Sequence, residues 1–220
     1  MFRPLALALA LLAAAAGGAR AHPHEFVDTG LIFHFDKDGQ LGAVSVAWVY
    51  DDLTSMLILG DLGMDMDGDG VLNDDEAARL NDMGSNWPEG FDGNLWLSQG
   101  GRPVALSRPL DGAAGLKDGR IWMKHIRALP ERADPAAGEL RLQVYDPSYY
   151  IFYDLTGTPE TEGRDSCHAV VDPADTGMAQ RLYDEALSKL SQQDLLDEAG
   201  YPEVGGVFAD TVRLECGAPG

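Results

Sequence analysis

The chain has 220 residues, with 36 acidic against 16 basic side chains and a formal charge of −20 at pH 7. Such an excess of carboxylates repels phosphates and argues against nucleic acid as a partner. A hydrophobic content of 45% is ample for a core, and beyond the N-terminus no segment reaches the roughly 18 consecutive apolar residues of a membrane span.

Arg3, an apolar run from Leu5 to Ala16 and the small-residue sequence Ala19-Arg20-Ala21 predict a secretory signal peptide over residues 1–21. Cleavage after Ala21 would leave a single β-rich periplasmic domain over 22–220 that starts at His22 and is not embedded in the membrane. From Glu25 to Asp36 apolar residues alternate, Asp38-Gly39 signals a tight turn, and Leu41 to Tyr50 completes a β-hairpin. A helix is predicted from Asp51 to about Gly63, capped by Asp51 or Asp52. Strands follow at Asn94 to Ser98, Pro103 to Ser107, Arg120 to Leu129, Glu139 to Tyr145, Tyr149 to Leu155, Cys167 to Asp172 and Val207 to Cys216. A second helical pattern covers about Thr176 to Ala199, where Met178, Leu182, Ala186 and Leu190 recur every four residues. The expected fold is therefore mainly β: a sandwich-like domain with an inserted EF-hand-like helix-loop-helix at about 51–84 and one further helix in the C-terminal half.

Export to an oxidising compartment turns the two cysteines, Cys167 and Cys216, into an expected disulfide. With neither in a CxxC pair, a thiolate metal site is the weaker alternative.

The strongest motif is Asp65-Met66-Asp67-Gly68-Asp69-Gly70-Val71-Leu72-Asn73-Asp74-Asp75-Glu76, which satisfies D-x-[DN]-x-[DN]-G-x5-E at every specified position. A hard cation wants six to eight oxygens, and this order offers carboxylates from Asp65, Asp67 and Asp69, the Val71 carbonyl, Asn73 directly or through water, and two oxygens from Glu76. Gly70 permits the sharp turn and Leu72 is expected to face the core. Sensor EF-hands come in pairs, and Asp36-Lys37-Asp38-Gly39 lacks the later ligands, so a lone Ca2+ loop is read as a structural clamp.

A second constellation is His22-Pro23-His24-Glu25, followed by Asp28. A free amine and imidazole at His22 would chelate a borderline metal, with His24 and Asp28 on one strand face by period two. Pro23 has no amide proton, which blocks the square-planar chelate built from backbone nitrogens. Imidazole and carboxylate then suit Zn2+ and tolerate Cu2+ or Ni2+. His125 and His168 are lesser candidates. The segment Tyr145-Asp146-Pro147-Ser148-Tyr149-Tyr150-Ile151-Phe152-Tyr153 reads as a turn between strands whose aromatics either pack or face a partner.

His22-Pro23-His24, a hairpin carrying Trp48, the acidic loop, the Tyr-Asp-Pro-x-Tyr-Tyr segment and the late cysteine pair together resemble a periplasmic domain-of-unknown-function family, the ZevA-like components of ABC-type transport systems. The resemblance implies zinc handling in the periplasm beside an inner-membrane permease of the nickel/cobalt transporter type. The expected function is thus a non-enzymatic, Ca2+-stabilised, metal-binding component of a divalent transition-metal transport system, with zinc as the expected metal. An oxidative copper enzyme with an N-terminal histidine brace and a calcium-stabilised protein-interaction module are the alternatives; no Ser/His/Asp arrangement is evident from spacing.

Overall fold

The computed structural model describes residues 23–191 and 202–217. The expected signal peptide over residues 1–21 and the candidate ligand His22 lie outside them. Two antiparallel-rich sheets enclose one core. The first orders its strands β5 (Leu110–Lys117), β6 (Arg120–Ala133), β2 (Leu41–Tyr50), β1 (Glu25–Phe35) and β8 (Ile151–Leu155), with β9 (Glu160–Glu162) also on β1; the second runs β10 (Cys167–Asp172), β11 (Thr211–Cys216), β7 (Leu140–Val144), β3 (Leu95–Gln99) and β4 (Arg102–Pro103).

The hairpin β1 (Glu25–Phe35) and β2 (Leu41–Tyr50) supplies much of this core. On β1 the odd positions Val27, Leu31, Phe33 and Phe35 are buried, as strand period two requires. On β2 the buried set moves from Leu41 to the even residues Val44, Val46 and Trp48. A bulge between Leu41 and Ala43 in the pairing with β6 makes that change of parity possible. The turn is held by Asp36, whose carboxylate accepts the Asp38 and Gln40 amides, so the Asp36-Lys37-Asp38-Gly39 sequence serves the hairpin. β6 (Arg120–Ala133) turns Ile121, Met123, His125, Arg127 and Leu129 inward.

Across the core stand β3 (Leu95–Gln99), β4 (Arg102–Pro103), β7 (Leu140–Val144), β10 (Cys167–Asp172) and β11 (Thr211–Cys216). Leu95, Leu97, Leu140, Leu142, Val212 and Leu214 are their buried contributions. Cys167 and Cys216 are opposed in the β10–β11 ladder and joined in a disulfide. β8 (Ile151–Leu155) and the short β9 (Glu160–Glu162) both run parallel to β1.

Two strands escape the sequence pattern. β5 (Leu110–Lys117) reads LDGAAGLK, poor in strand-forming residues. Its small residues answer to crowding: a Cβ on Gly112 would meet Ser85 Oγ at 2.4 Å, and one on Gly115 would meet the Trp122 ring at 2.7 Å. β9 has only three residues and exists through its pairing with β1. Conversely, the expected strand from Pro103 to Ser107 is reduced to the two-residue β4, and Gly205 to Val207 form a 3-10 turn ahead of β11.

Between β2 and β3 lie α1 (Asp52–Leu62) and α2 (Asp74–Ser85). Asp51 caps α1 by accepting the Thr54 amide at 2.9 Å, and Gly63 ends it in the left-handed region at φ 60°. Ser55 Oγ accepts the Ile121 amide at 2.9 Å and so pins α1 to β6. α2 lies on β5: Leu80 is fully buried and the Ala114 amide donates to Asn81 Oδ1 at 2.8 Å. The last helix, α3 (Thr176–Leu187), is capped at its end by Ser188, short of the expected Ala199; residues 192–201 lie outside the described set. Its packed face is Ala179 and Tyr183, against Phe208, while the four-residue stripe that suggested the helix leaves Met178 and Leu182 exposed.

Candidate functional site

The acidic loop is wound by three left-handed residues, Asp65 at φ 48°, Gly68 at φ 70° and Gly70 at φ 75°. Asp65 Oδ1 accepts the Gly70 amide at 3.1 Å, and Asp69 Oδ1 accepts the Val71 amide at 2.8 Å. The turn brings one ligand oxygen from each of Asp65, Asp67 and Asp69 within 4.8 Å of one another. Among the described residues these three are the only such group of His, Cys, Asp or Glu. Like charges at that distance repel by about 1 kcal/mol per pair in water and by more beside a protein surface.

The loop leaves through a capping box. Asn73 Oδ1 accepts the Asp75 and Glu76 amides, and Glu76 Oε2 returns to accept the Asn73 amide at 3.0 Å. Glu76 Oε1 accepts the Asp65 amide at 3.2 Å, so this one carboxylate ties the first residue of the loop to its last turn. Glu76 stands outside the three-carboxylate cluster. Each of its oxygens carries one backbone bond, which leaves further acceptor capacity on both. Val71 is exposed, Leu72 packs on the core as the motif implies, and Arg79 donates to the Leu62 carbonyl at 2.5 Å, bridging the two helices. The donor set is all oxygen and fits a hard cation such as Ca2+.

At the other candidate site, His24 is exposed at the entrance to β1. Its amide donates to the Tyr150 carbonyl at 2.9 Å and its ring stacks on Tyr150, with centroids 4.9 Å apart. Tyr150 is itself fixed by Asp146, whose carboxylate accepts the Ser148 hydroxyl at 2.7 Å and the Tyr150 amide at 2.8 Å. Asp28 is on the same side of the strand but four residues on, roughly 13 Å along an extended chain. Its carboxylate is bonded to Arg120 Nη2 at 2.8 Å, so the structure does not bring His24 and Asp28 together. Glu25 lies among carboxylates instead: burial pushes its carboxyl up, Asp51 and Asp146 add to the rise, and His24 opposes it. Sequence spacing could not reveal that Asp51 and Asp146 come to Glu25, since the three meet only through the β1–β8 pairing and the start of α1.

The remaining candidates are apart. His125 is 2% exposed, with its ring centroid 4.8 Å from both Trp48 and Trp87, and its Nε2 has no hydrogen-bond partner. Burial, reinforced by the Arg127 guanidinium, pushes its pKa down to about 3, so the ring is neutral. His168 is exposed on β10, opposite Glu215 of the second sheet. Of the four tyrosines near the Asp-Pro turn, Tyr153 bonds Asn94 in the core, Tyr145 stacks on Trp96 and Tyr149 on Phe208, which is packing; Tyr150 carries His24.

Comparison with curated proteins finds no match. A family model described as protein of unknown function, DUF1007, matches residues 7–216. The chain belongs to the DUF1007 family.

Proposed function

We propose that this protein is an exported, periplasmic metal-binding component of a divalent transition-metal transport system, with zinc the foremost metal and an inner-membrane permease of the nickel/cobalt type its partner. The observation that carries the reading is the separation of two donor sets by chemical hardness. Clustered carboxylates of the Asp65 to Glu76 loop suit Ca2+, while the imidazole of His24, exposed and steadied on Tyr150, suits Zn2+ together with His22. The calcium would be structural, joining α1 to α2 beside the strands they cover. Titration of the chain beginning at His22 with Zn2+ tests the transition-metal site, and co-purification with the permease tests the partnership. A Zn2+ affinity indifferent to His24→Ala would remove the site.

A second reading, a calcium-stabilised interaction module, is favoured by one specific feature: Leu53, Met56 and Leu57 form an exposed apolar stripe on α1. Partner capture abolished by Leu53→Ser/Leu57→Ser, with zinc affinity absent, would favour it.

A further inference from the structure

His34, Ser45 and Glu162 belong to three strands that meet only in the folded chain. Across β1 and β2, Ile32 is the register partner of Ser45, and His34 is the partner of Glu162 in the parallel β1–β9 ladder. Even positions of β1 alternate with the buried ones, as do odd positions of this part of β2, so the three side chains share the outer face of the first sheet. Ser45 Oγ lies 2.7 Å from His34 Nε2, and Glu162 Oε2 lies 3.1 Å from His34 Nδ1. An ionised carboxylate can only accept, which assigns the proton of the neutral ring to Nδ1. His34 Nε2 then accepts the Ser45 hydroxyl. Hydroxyl, imidazole and carboxylate stand in the order by which a base takes a serine proton while an acid fixes the base's tautomer.

A polar network that only fastened β9 to β1 would need no cavity beside the serine. The outer face nevertheless holds a groove of about 570 Å3, lined by Ser45 with Ile32, Ala47, Lys124, Ile126 and Thr158, a size suited to a small ligand. Ile32, Ala47 and Ile126 give it an apolar floor. Ile126 is the register partner of Ser45, and Lys124 follows on the same face two residues away, with its ammonium over the Trp122 ring, 6.0 Å from the centroid.

We propose that Ser45, His34 and Glu162 form a hydrolytic triad for acyl esters whose acyl chain lies in this groove. Ser45 Oγ bonds to the ester carbonyl carbon as its proton passes to His34 Nε2. The bond from carbon to the alcohol oxygen then breaks, and His34 returns that proton to the departing alcohol. Water adds to the acyl-serine, giving a proton to His34, and the serine oxygen leaves with that proton, releasing a carboxylic acid. Glu162 holds the ring. The Glu162 side chain is 59% exposed and that of His34 32%; solvent screening weakens their pairing, so Glu162→Gln slows the reaction less than loss of either other member.

The test uses the purified full chain, a fluorophosphonate probe and p-nitrophenyl butyrate. The expected result is one covalent adduct, mapped to Ser45 by peptide mass spectrometry, and butyrate release that falls by roughly 100-fold or more in S45A and H34Q. S45A removes one oxygen at a part-exposed site, and an unchanged melting temperature would show that it still folds. Absence of an adduct at Ser45 in the parent chain, or butyrate release undiminished in S45A, would overturn the proposal. Loss of thermal stability in S45A without any adduct in the parent chain would also overturn it and leave the three residues as a fastening of β9.

Discussion

Removal of the Cys167–Cys216 bridge tests how the end of the chain is held. The two residues are 49 apart in sequence and directly opposed in the β10–β11 ladder. Closing a loop of that length lowers unfolded-state entropy by an amount worth about 4 kcal/mol. For a domain of 150 to 250 residues each kcal/mol moves the melting temperature by roughly 2 to 4 °C, so the expected fall is about 8 to 16 °C. Other ties survive the change: the Gly217 amide donates to the Ser166 carbonyl at 2.7 Å, and Arg164 bridges the carbonyls of Gly39 and Gly217. They belong to the native state and do not restrict the unfolded chain, so they should not rescue the loss. Cys167→Ala/Cys216→Ala should be compared by scanning calorimetry with oxidised and with reduced parent protein at one calcium concentration. Reduced parent and double variant should melt together, apart from about 1 kcal/mol for the sulfur removed at the buried Cys167. A fall below about 3 °C in both would instead assign the stability of β11 to its ladder bonds.

Glu76→Gln should weaken Ca2+ binding at least tenfold and abolish the rise in melting temperature on adding calcium, measured by titration calorimetry and thermal melts; unchanged values would reduce the loop to an acidic turn. Asp51→Ala should cost about 1 to 2 kcal/mol in urea unfolding, because the carboxylate caps α1 and also accepts the Phe26 amide at 3.0 Å. Burial alone would raise the Asp51 carboxyl, but the bonds from Thr54 and Phe26 outweigh it and hold it below the ordinary 3.8; its contribution is therefore complete above that value and lost as pH falls further, a slope the variant should lack. His125→Phe should be neutral or stabilising, since it removes an unpartnered buried nitrogen from an aromatic box. Because burial lowers His125 from 6.5 to about 3, the parent protein should lose stability between those values as the unfolded chain takes up a proton, and the variant should show a shallower fall in melts across that range.

The hairpin, the disulfide and the acidic loop were legible in the sequence because each rests on local signals: alternation, an even cysteine pair, a ligand spacing. β5 was not, since its glycines are dictated by Ser85 and Trp122 rather than by strand preference. The four-residue repeat through Met178 and Leu182 marks α3 as a helix but not its packed face, which contact with Phe208 sets at Ala179 and Tyr183. His34 gave no sign of its role in the sequence, for Ser45 lies across one strand boundary and Glu162 across another, more than a hundred residues away. Asp28 had the right parity for His24 but a nearer claim from Arg120. In each case a long-range partner decided what a local pattern could not.

Two metal sites of opposite hardness should titrate independently, and one competition titration decides it: Zn2+ affinity of the chain beginning at His22, measured with a chromophoric chelator with and without saturating Ca2+, beside His22→Ala and His24→Ala. Zinc affinity should be unmoved by calcium and reduced at least tenfold by either substitution. Equal zinc affinity in all three proteins, or zinc displaced by calcium, would contradict it.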